Sequence, residues 1–284
     1  MFGEAIESTV RAGDLVLDIG TGAGLTAMIA ARAGARVITC EANPIVADLA
    51  RRIVAHNGLH DRITVIAKPS HDLEIGKDLP WPADVLIAEV FDCGLVGESA
   101  LPTFTHAVRE LVCPNARLIP GRGRLYCQVI ESEQLWQLNH VNSAMGFDLG
   151  LFNEVSTDGY FPVRLELHPY RALSSPTILA DIDFSSPASP IGSRRVLTIT
   201  DTGMVHAVVL WFELELSSGH RVTNAPGVLR HWHQALHTTT PQPARAGEPI
   251  TITLGGSDDN LKLDISVGAV TATPATSDRT LILT

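Results

Sequence analysis

Along the first 120 residues, short continuous apolar runs alternate with stretches whose apolar positions recur every three or four places. The runs DLVLDIG (14–20), RVITCEAN (36–43), RITVIAK (62–68) and ADVLIAEV (83–90) read as strands buried on both faces. Between them GLTAMIAARAGA (24–35) and PIVADLARRIVAHNGL (44–59) read as helices, and FTHAVRELV (104–112) as another. Pro44 stands where a helix starts, and Asn57-Gly58 where one stops. This β-α-β-α-β order predicts an α/β domain, a doubly wound parallel sheet of the Rossmann-like kind with right-handed crossovers.

From Pro120-Gly121 the pattern changes. RLYCQVIES, RRVLTIT, HAVVLWFELEL, ITITL and LKLDISVGAV have β character, and the turn-rich stretches SSPASPIGS and TTTPQPARAGEP lie among them. Only SEQLWQLNHVNSAMG (132–146) reads as helical there. Strands joined by loops predict an antiparallel β-barrel or sandwich. The expected organisation is therefore a domain over residues 1–120 and a second over 121–284.

Composition narrows the function classes. The chain is 45% hydrophobic and 18% charged, which fits a globular protein with a sizeable core. Its net charge of −10 lacks the basic excess of a nucleic-acid binder and would draw a cationic substrate inward. No run approaches a membrane span, and no signal peptide follows Met1. Cys40, Cys93, Cys113 and Cys127 form no CxxC pair, as expected of reduced thiols in a cytoplasmic protein.

VLDIGTGAG (16–24) joins the first strand to the first helix. Gly20, Gly22 and Gly24 let the backbone turn tightly and approach a ligand, with Thr21 among them. Glu41 ends the second strand, where an acid reaches ribose hydroxyls, with Ala42 beside it. Asp18 separates two cofactor classes. An acid just before the glycines would repel a pyrophosphate, which argues against a dinucleotide oxidoreductase, but it suits the amino-acid end of S-adenosyl-L-methionine.

The next motif is EVFDCGLVGE (89–98), which places Glu89 and Glu98 nine residues apart with Asp92 between them. Carboxylates in an apolar setting need a cation, and a planar guanidinium can be held bidentately by two of them. Three His residues, His231, His233 and His237, have no carboxylate or cysteine at ligand-like spacing, so no metal site is expected.

Taken together, VLDIGTGAG, EVFDCGLVGE and HWHQ (231–234) resemble protein arginine N-methyltransferases over most of the chain. The spelling from Glu89 to Pro102 is similar to the monomethylating type III branch. The resemblance implies a double-E loop carrying Glu89 and Glu98, and a substrate-gripping pair in His231 and Trp232. It also implies adenine contacts from Ser70 and His71, though relatives often carry an acid there, and Asp72 could substitute. The substrate would be arginine in a protein or peptide, or free arginine, and the product of the donor S-adenosyl-L-homocysteine. A homodimer would form through an arm within residues 133–175.

Two departures accompany the resemblance. The family carries a helical lid upstream of the first strand, of which MFGEAIESTVRAGD matches only the tail. A catalytically weak or inactive module that binds donor and arginine is the alternative this raises. Arg230, just before His231, would compete with a substrate guanidinium if it pointed inward.

Overall fold

The computed structural model describes residues 1–228, 231–257 and 260–268. Arg230 and the end of the LKLDISVGAV run lie outside the described residues. A first helix, α1 (Phe2–Thr9), precedes β1 (Leu15–Ile19), α2 (Leu25–Arg32), β2 (Arg36–Cys40), α3 (Pro44–His56) and β3 (Ile63–Ile66). Then come β4 (Ala83–Ala88), α4 (Ala100–Glu110) and β5 (Val112–Ile119). These strands form one wholly parallel sheet in the order β3-β2-β1-β4-β5. All of β1 and most of β2 and β4 are buried, so no polar-apolar alternation marks them. β5 is the strand the apolar pattern misses. Only Val112 and Ile119, at its ends, are buried, and Pro114, Asn115 and Arg117 interrupt any apolar run between them.

The described strands after β5 pair antiparallel, as their pattern predicts. Its elements are β6 (Arg122–Glu131), α5 (Glu133–Gln137), β7 (Ser143–Ala144), β8 (Phe147–Asp148), β9 (Phe161–Val163), β10 (Arg171–Ala172) and β11 (Thr177–Asp183). They continue with β12 (Arg194–Thr198), β13 (Gly203–Ser217), β14 (His220–Thr223), β15 (Gln234–Ala244), β16 (Pro249–Ser257) and β17 (Asn260–Val267). The larger sheet runs β10-β6-β13-β15-β9, with β11 also on β6 and β14 also on β13, and the smaller runs β12-β16-β17.

The helix expected over 132–146 shrinks to α5. Its Ser132 N-cap accepts from the Leu135 N–H, but past Gln137 the side chains favour other bonds. Asn139 exchanges hydrogen bonds with the backbone of Thr157, and Asn153 does so with Val141. Such amides compete with a helix for its own backbone groups. Met145 and Gly146 then turn the β7–β8 hairpin at positive φ.

Both halves share one hydrophobic core. Phe184, after β11, stacks on Phe104 of α4 at 4.3 Å and meets Phe91 at 5.5 Å. The segment that carries the two glutamates is thus clamped where the halves meet. No helix among the described residues is long and apolar enough to cross a membrane.

Candidate active site

At the carboxyl ends of β1, β2 and β4 a cleft of about 500 Å³ opens. Gly20 and Gly22, Glu41 and Ala42, Ser70 and His71, and Glu89 and Glu98 all line it. In an open parallel sheet this is where ligands bind. Gly20, Gly22 and Gly24 each take positive φ (87°, 50° and 80°), so the turn needs glycine at these positions. Gly20 also lies against the acid segment, since a Cβ there would stand 3.2 Å from Val90.

Glu41 braces this turn. Its carboxylate accepts the Gly22 N–H at 3.2 Å and the Asn43 N–H at 3.0 Å. It stays half-exposed toward the cleft, with lone pairs to spare for ribose hydroxyls.

Asp18 sits differently from the sequence expectation. It is 1% exposed and lies beneath the turn, where Thr39 Oγ1 donates to its Oδ2 at 2.6 Å. The Thr39 hydroxyl is in turn 2.6 Å from that of Thr21. Burial raises the Asp18 pKa to about 6, against hydrogen bonds from Thr39 and Thr26 that pull it down. Its carboxylate therefore supports the turn from below and adds negative potential under the cleft, which Gly20 and Gly22 line above it. Ser70 is nearly buried, and His71 reaches solvent at the rim of the cleft.

The two glutamates stand outside the apolar setting of their motif. Neither is buried; the loop between them is. Phe91, Leu95 and Val96 enter the core, which turns Glu89 and Glu98 out into the cleft. Glu89 still feels protein on most sides. Desolvation first, then the charges of Glu98 and Asp18, push its pKa up to about 7. No described basic side chain pairs with either glutamate within 4.0 Å. Together they make a site of negative potential with room for a cation.

A second opening adjoins the first through Glu89 and is walled by Phe2, Thr21, His231 and Trp232. A third is walled by Asp92, Glu98, Tyr160, His231, Trp232 and His233. The predicted site residues thus meet around Glu89 and Glu98, apart from Asp18 and Gly24, which lie behind the surface. His231 is exposed. Trp232 is more committed, because its indole N–H donates to the Phe91 carbonyl at 2.9 Å and its ring meets Phe212 edge-on. Among the described residues no group of three His, Cys, Asp or Glu is placed to hold a metal ion.

Sequence reasoning passed over three residues at this junction. Asp92, Tyr160 and Asn224 all bond the acid loop or one another. Asp92 is visible inside the motif. Tyr160 and Asn224 lie 68 and 131 residues from their partners, and nothing local marks them.

Comparison with known proteins agrees with this geometry. Residues 121–268 match the family model described as the arginine methyltransferase oligomerization subdomain, and residues 3–119 match that of the ribosomal protein L11 methyltransferase (PrmA). The chain is similar to an arginine N(omega)-methyltransferase of Streptomyces achromogenes subsp. streptozoticus, with 44% identity over 265 residues, 92% of this chain and 73% of that protein. It is also similar to protein arginine N-methyltransferase 7 of Aedes aegypti, with 36% identity over 218 residues, 71% of this chain and 32% of that protein. It therefore spans about a third of the latter's length.

Among solved structures, the Trypanosoma brucei PRMT1 enzyme–prozyme heterotetrameric complex with AdoHcy superposes with a TM-score of 0.80 at 25% identity, covering 94% of this chain and 88% of that one. Protein arginine methyltransferase 10 of Arabidopsis thaliana shares the fold, with a TM-score of 0.74 at 21% identity over 96% and 90% of the two chains. A parallel sheet ending in a glycine turn, a two-glutamate loop beside it, and matches over both halves agree: this chain belongs to the arginine methyltransferase family.

Proposed function

We propose that this protein transfers a methyl group from S-adenosyl-L-methionine to a guanidinium nitrogen of arginine. The observation that carries the reading is the couple Glu89 and Glu98, without a basic partner among the described residues and facing the cleft that also holds the glycine turn and Glu41. The cleft fits the donor: Gly20 and Gly22 offer close backbone approach, and Glu41 offers acceptors to a ribose. When bound, the donor supplies an electrophilic methyl on a sulfonium centre.

The glutamates would accept N–H bonds from two edges of the guanidinium. Positive charge then gathers on the held nitrogens, and the attacking nitrogen recovers its lone pair. As the new C–N bond forms and the C–S bond breaks, that nitrogen must shed a proton. Glu89, ionised when it holds the guanidinium, would take it at a side-chain oxygen. Trp232, anchored to Phe91, and His231 close the side formed by the second half.

The guanidinium can arrive on free arginine or on a peptide. The Streptomyces relative is named for arginine itself, and the Aedes relative for protein arginine. A methyl-transfer assay with each substrate tests the reading, and product from neither would refute it.

We also propose that two copies associate through the segment around β7 and β8. Leu138, Met145, Phe147, Leu151, Phe152 and Val155 are all more than half exposed there, which is costly for an isolated monomer. Leu25, Ile45 and Leu49 on α2 and α3 offer an apolar face of the same kind. The four unpaired cysteines suit a reducing cytoplasm.

A further inference from the structure

Within the acid loop, Leu95, Glu98 and Ser99 hold positive φ (78°, 58° and 59°), a conformation that crowds Cβ against the backbone. Such a path persists only where its surroundings impose it. Asp92 is the centre of that support. Its Oδ1 accepts the Gly94 N–H at 3.0 Å and the Gly97 N–H at 3.1 Å. Its Oδ2 accepts the Tyr160 hydroxyl at 2.6 Å, a short charge-assisted bond.

The two glycines make room for this arrangement. A Cβ on Gly94 would lie 2.3 Å from Tyr160 Cζ, and one on Gly97 would lie 2.3 Å from Asp92 Cγ. Burial first, then the Asp92 charge, push the Tyr160 pKa far above its ordinary value, so the hydroxyl remains a donor. Two further bonds reach the same loop from the second half. Fully buried Asn224 donates to the Cys93 carbonyl at 3.2 Å, and Trp232 donates to that of Phe91.

Glu89 and Glu98 are held by different means. Glu89 directly follows β4 and inherits its place from the parallel sheet. Glu98 follows the Gly97 peptide, whose N–H is bound to Asp92. The separation of the two carboxylates therefore depends on Asp92, and Asp92 is held from outside its own loop by Tyr160.

We infer that Tyr160, acting through Asp92, is a positioning residue that sets the spacing of Glu89 and Glu98 for the guanidinium. The inference rests on the clamp reading of those glutamates. It assigns a specific task to the stretch just before β9: the second half of the chain templates the acid loop as well as covering it. Phe91 stacking alone would join the halves without constraining Glu98.

The test uses Tyr160→Phe, which keeps the ring against Gly94 and removes one hydroxyl. In ligand-free protein, the Glu89 carboxyl is titrated by carbon NMR. Its surroundings include Glu98 on its own loop, Asp18 beneath, Glu41, Lys68 and His71 lining the same cleft, and His231 from the second half. If the loop relaxes, Glu98 moves off and water enters, so the Glu89 titration midpoint should drop by roughly half a pH unit or more.

In turnover, KM for arginine should rise roughly ten- to hundredfold while affinity for S-adenosylhomocysteine stays within about twofold. Asp92→Asn should reproduce both effects and decides the matter if Tyr160→Phe does not fold. An unmoved Glu89 titration with parental KM overturns the positioning role. So does a loss shared equally by S-adenosylhomocysteine affinity and thermal stability without a titration shift, since that marks mere joint-filling. A parent protein that binds no arginine would instead overturn the clamp, and the titration separates the two failures.

Discussion

Guanidinium binding should release a proton, and its strength should depend on pH through Glu89. In the free protein Glu89 titrates near 7, because the cleft desolvates it and Glu98 and Asp18 repel its charge. A bound guanidinium needs the ionised form, so binding must first remove the proton from whatever fraction carries one. For a single group with pKa about 7, apparent affinity is reduced about twofold at pH 7, about elevenfold at pH 6 and hardly at all at pH 8. Arginine should therefore bind roughly tenfold more weakly at pH 6 than at pH 8, releasing about half a proton per molecule at pH 7. Calorimetry with S-adenosylhomocysteine present, in two buffers of different ionisation enthalpy, measures both quantities. Glu89→Gln isolates the cause: it should abolish most of the slope and weaken binding at pH 8 by roughly thirtyfold to several thousandfold, the range for breaking a desolvated charge pair. Equal affinities at pH 6 and pH 8, or a glutamine variant that keeps the parental slope, would refute the reasoning.

Glu41→Ala should lose affinity for S-adenosylhomocysteine by calorimetry, because it removes both the ribose acceptor and the brace on Gly22; unchanged affinity would take Glu41 out of the site. Asp18→Asn should stabilise ligand-free protein at pH 8 and change it little below pH 4. Its folded pKa of about 6 lies above the ordinary 3.8, so the stability this confers is present at low pH and lost as pH rises through 6, a difference on the order of 3 kcal/mol readable by thermal melts. Phe147→Asp with Phe152→Asp should convert a dimer to a monomer in light scattering, and a wild type that is already monomeric at high concentration would count against the proposed association. Gly94→Ala should lower arginine turnover far more than donor binding, because its Cβ would displace the Tyr160 ring.

How much of this was legible in the sequence follows from how local each signal is. The parallel sheet could be read because both faces of its central strands are buried, which leaves unbroken apolar runs such as LVLDI. β5 escaped because burial is confined to its two ends. The helix expected after Ser132 failed where Asn139 and Asn153 found backbone partners 18 and 12 residues away, contacts that no helical period encodes. In the site, the glycine turn and the nine-residue spacing of Glu89 and Glu98 are local patterns, and they were sufficient to bring the cleft together. The burial of Asp18 and the exposure of both glutamates were not local. Alternating one residue in and the next out cannot describe a loop whose apolar middle enters the core and whose charged ends turn away from it.

That inversion bears on chemistry. A clamp made of fully buried carboxylates would hold their protons tightly and cost substantial desolvation before any substrate arrived. Here Glu89 is driven only halfway to neutrality at pH 7, because the cleft leaves it open to water while Phe91, Leu95 and Val96 anchor the loop in the core beneath it. A guanidinium entering such a site displaces water and, at pH 7, about half a proton, with no ion pair to either glutamate to break among the described residues. The energy that keeps two like charges close to each other is then supplied by the fold, through Asp92, Tyr160, Asn224 and Trp232, and not by the substrate. The acid loop can be short and strained because the second half of the chain supports it.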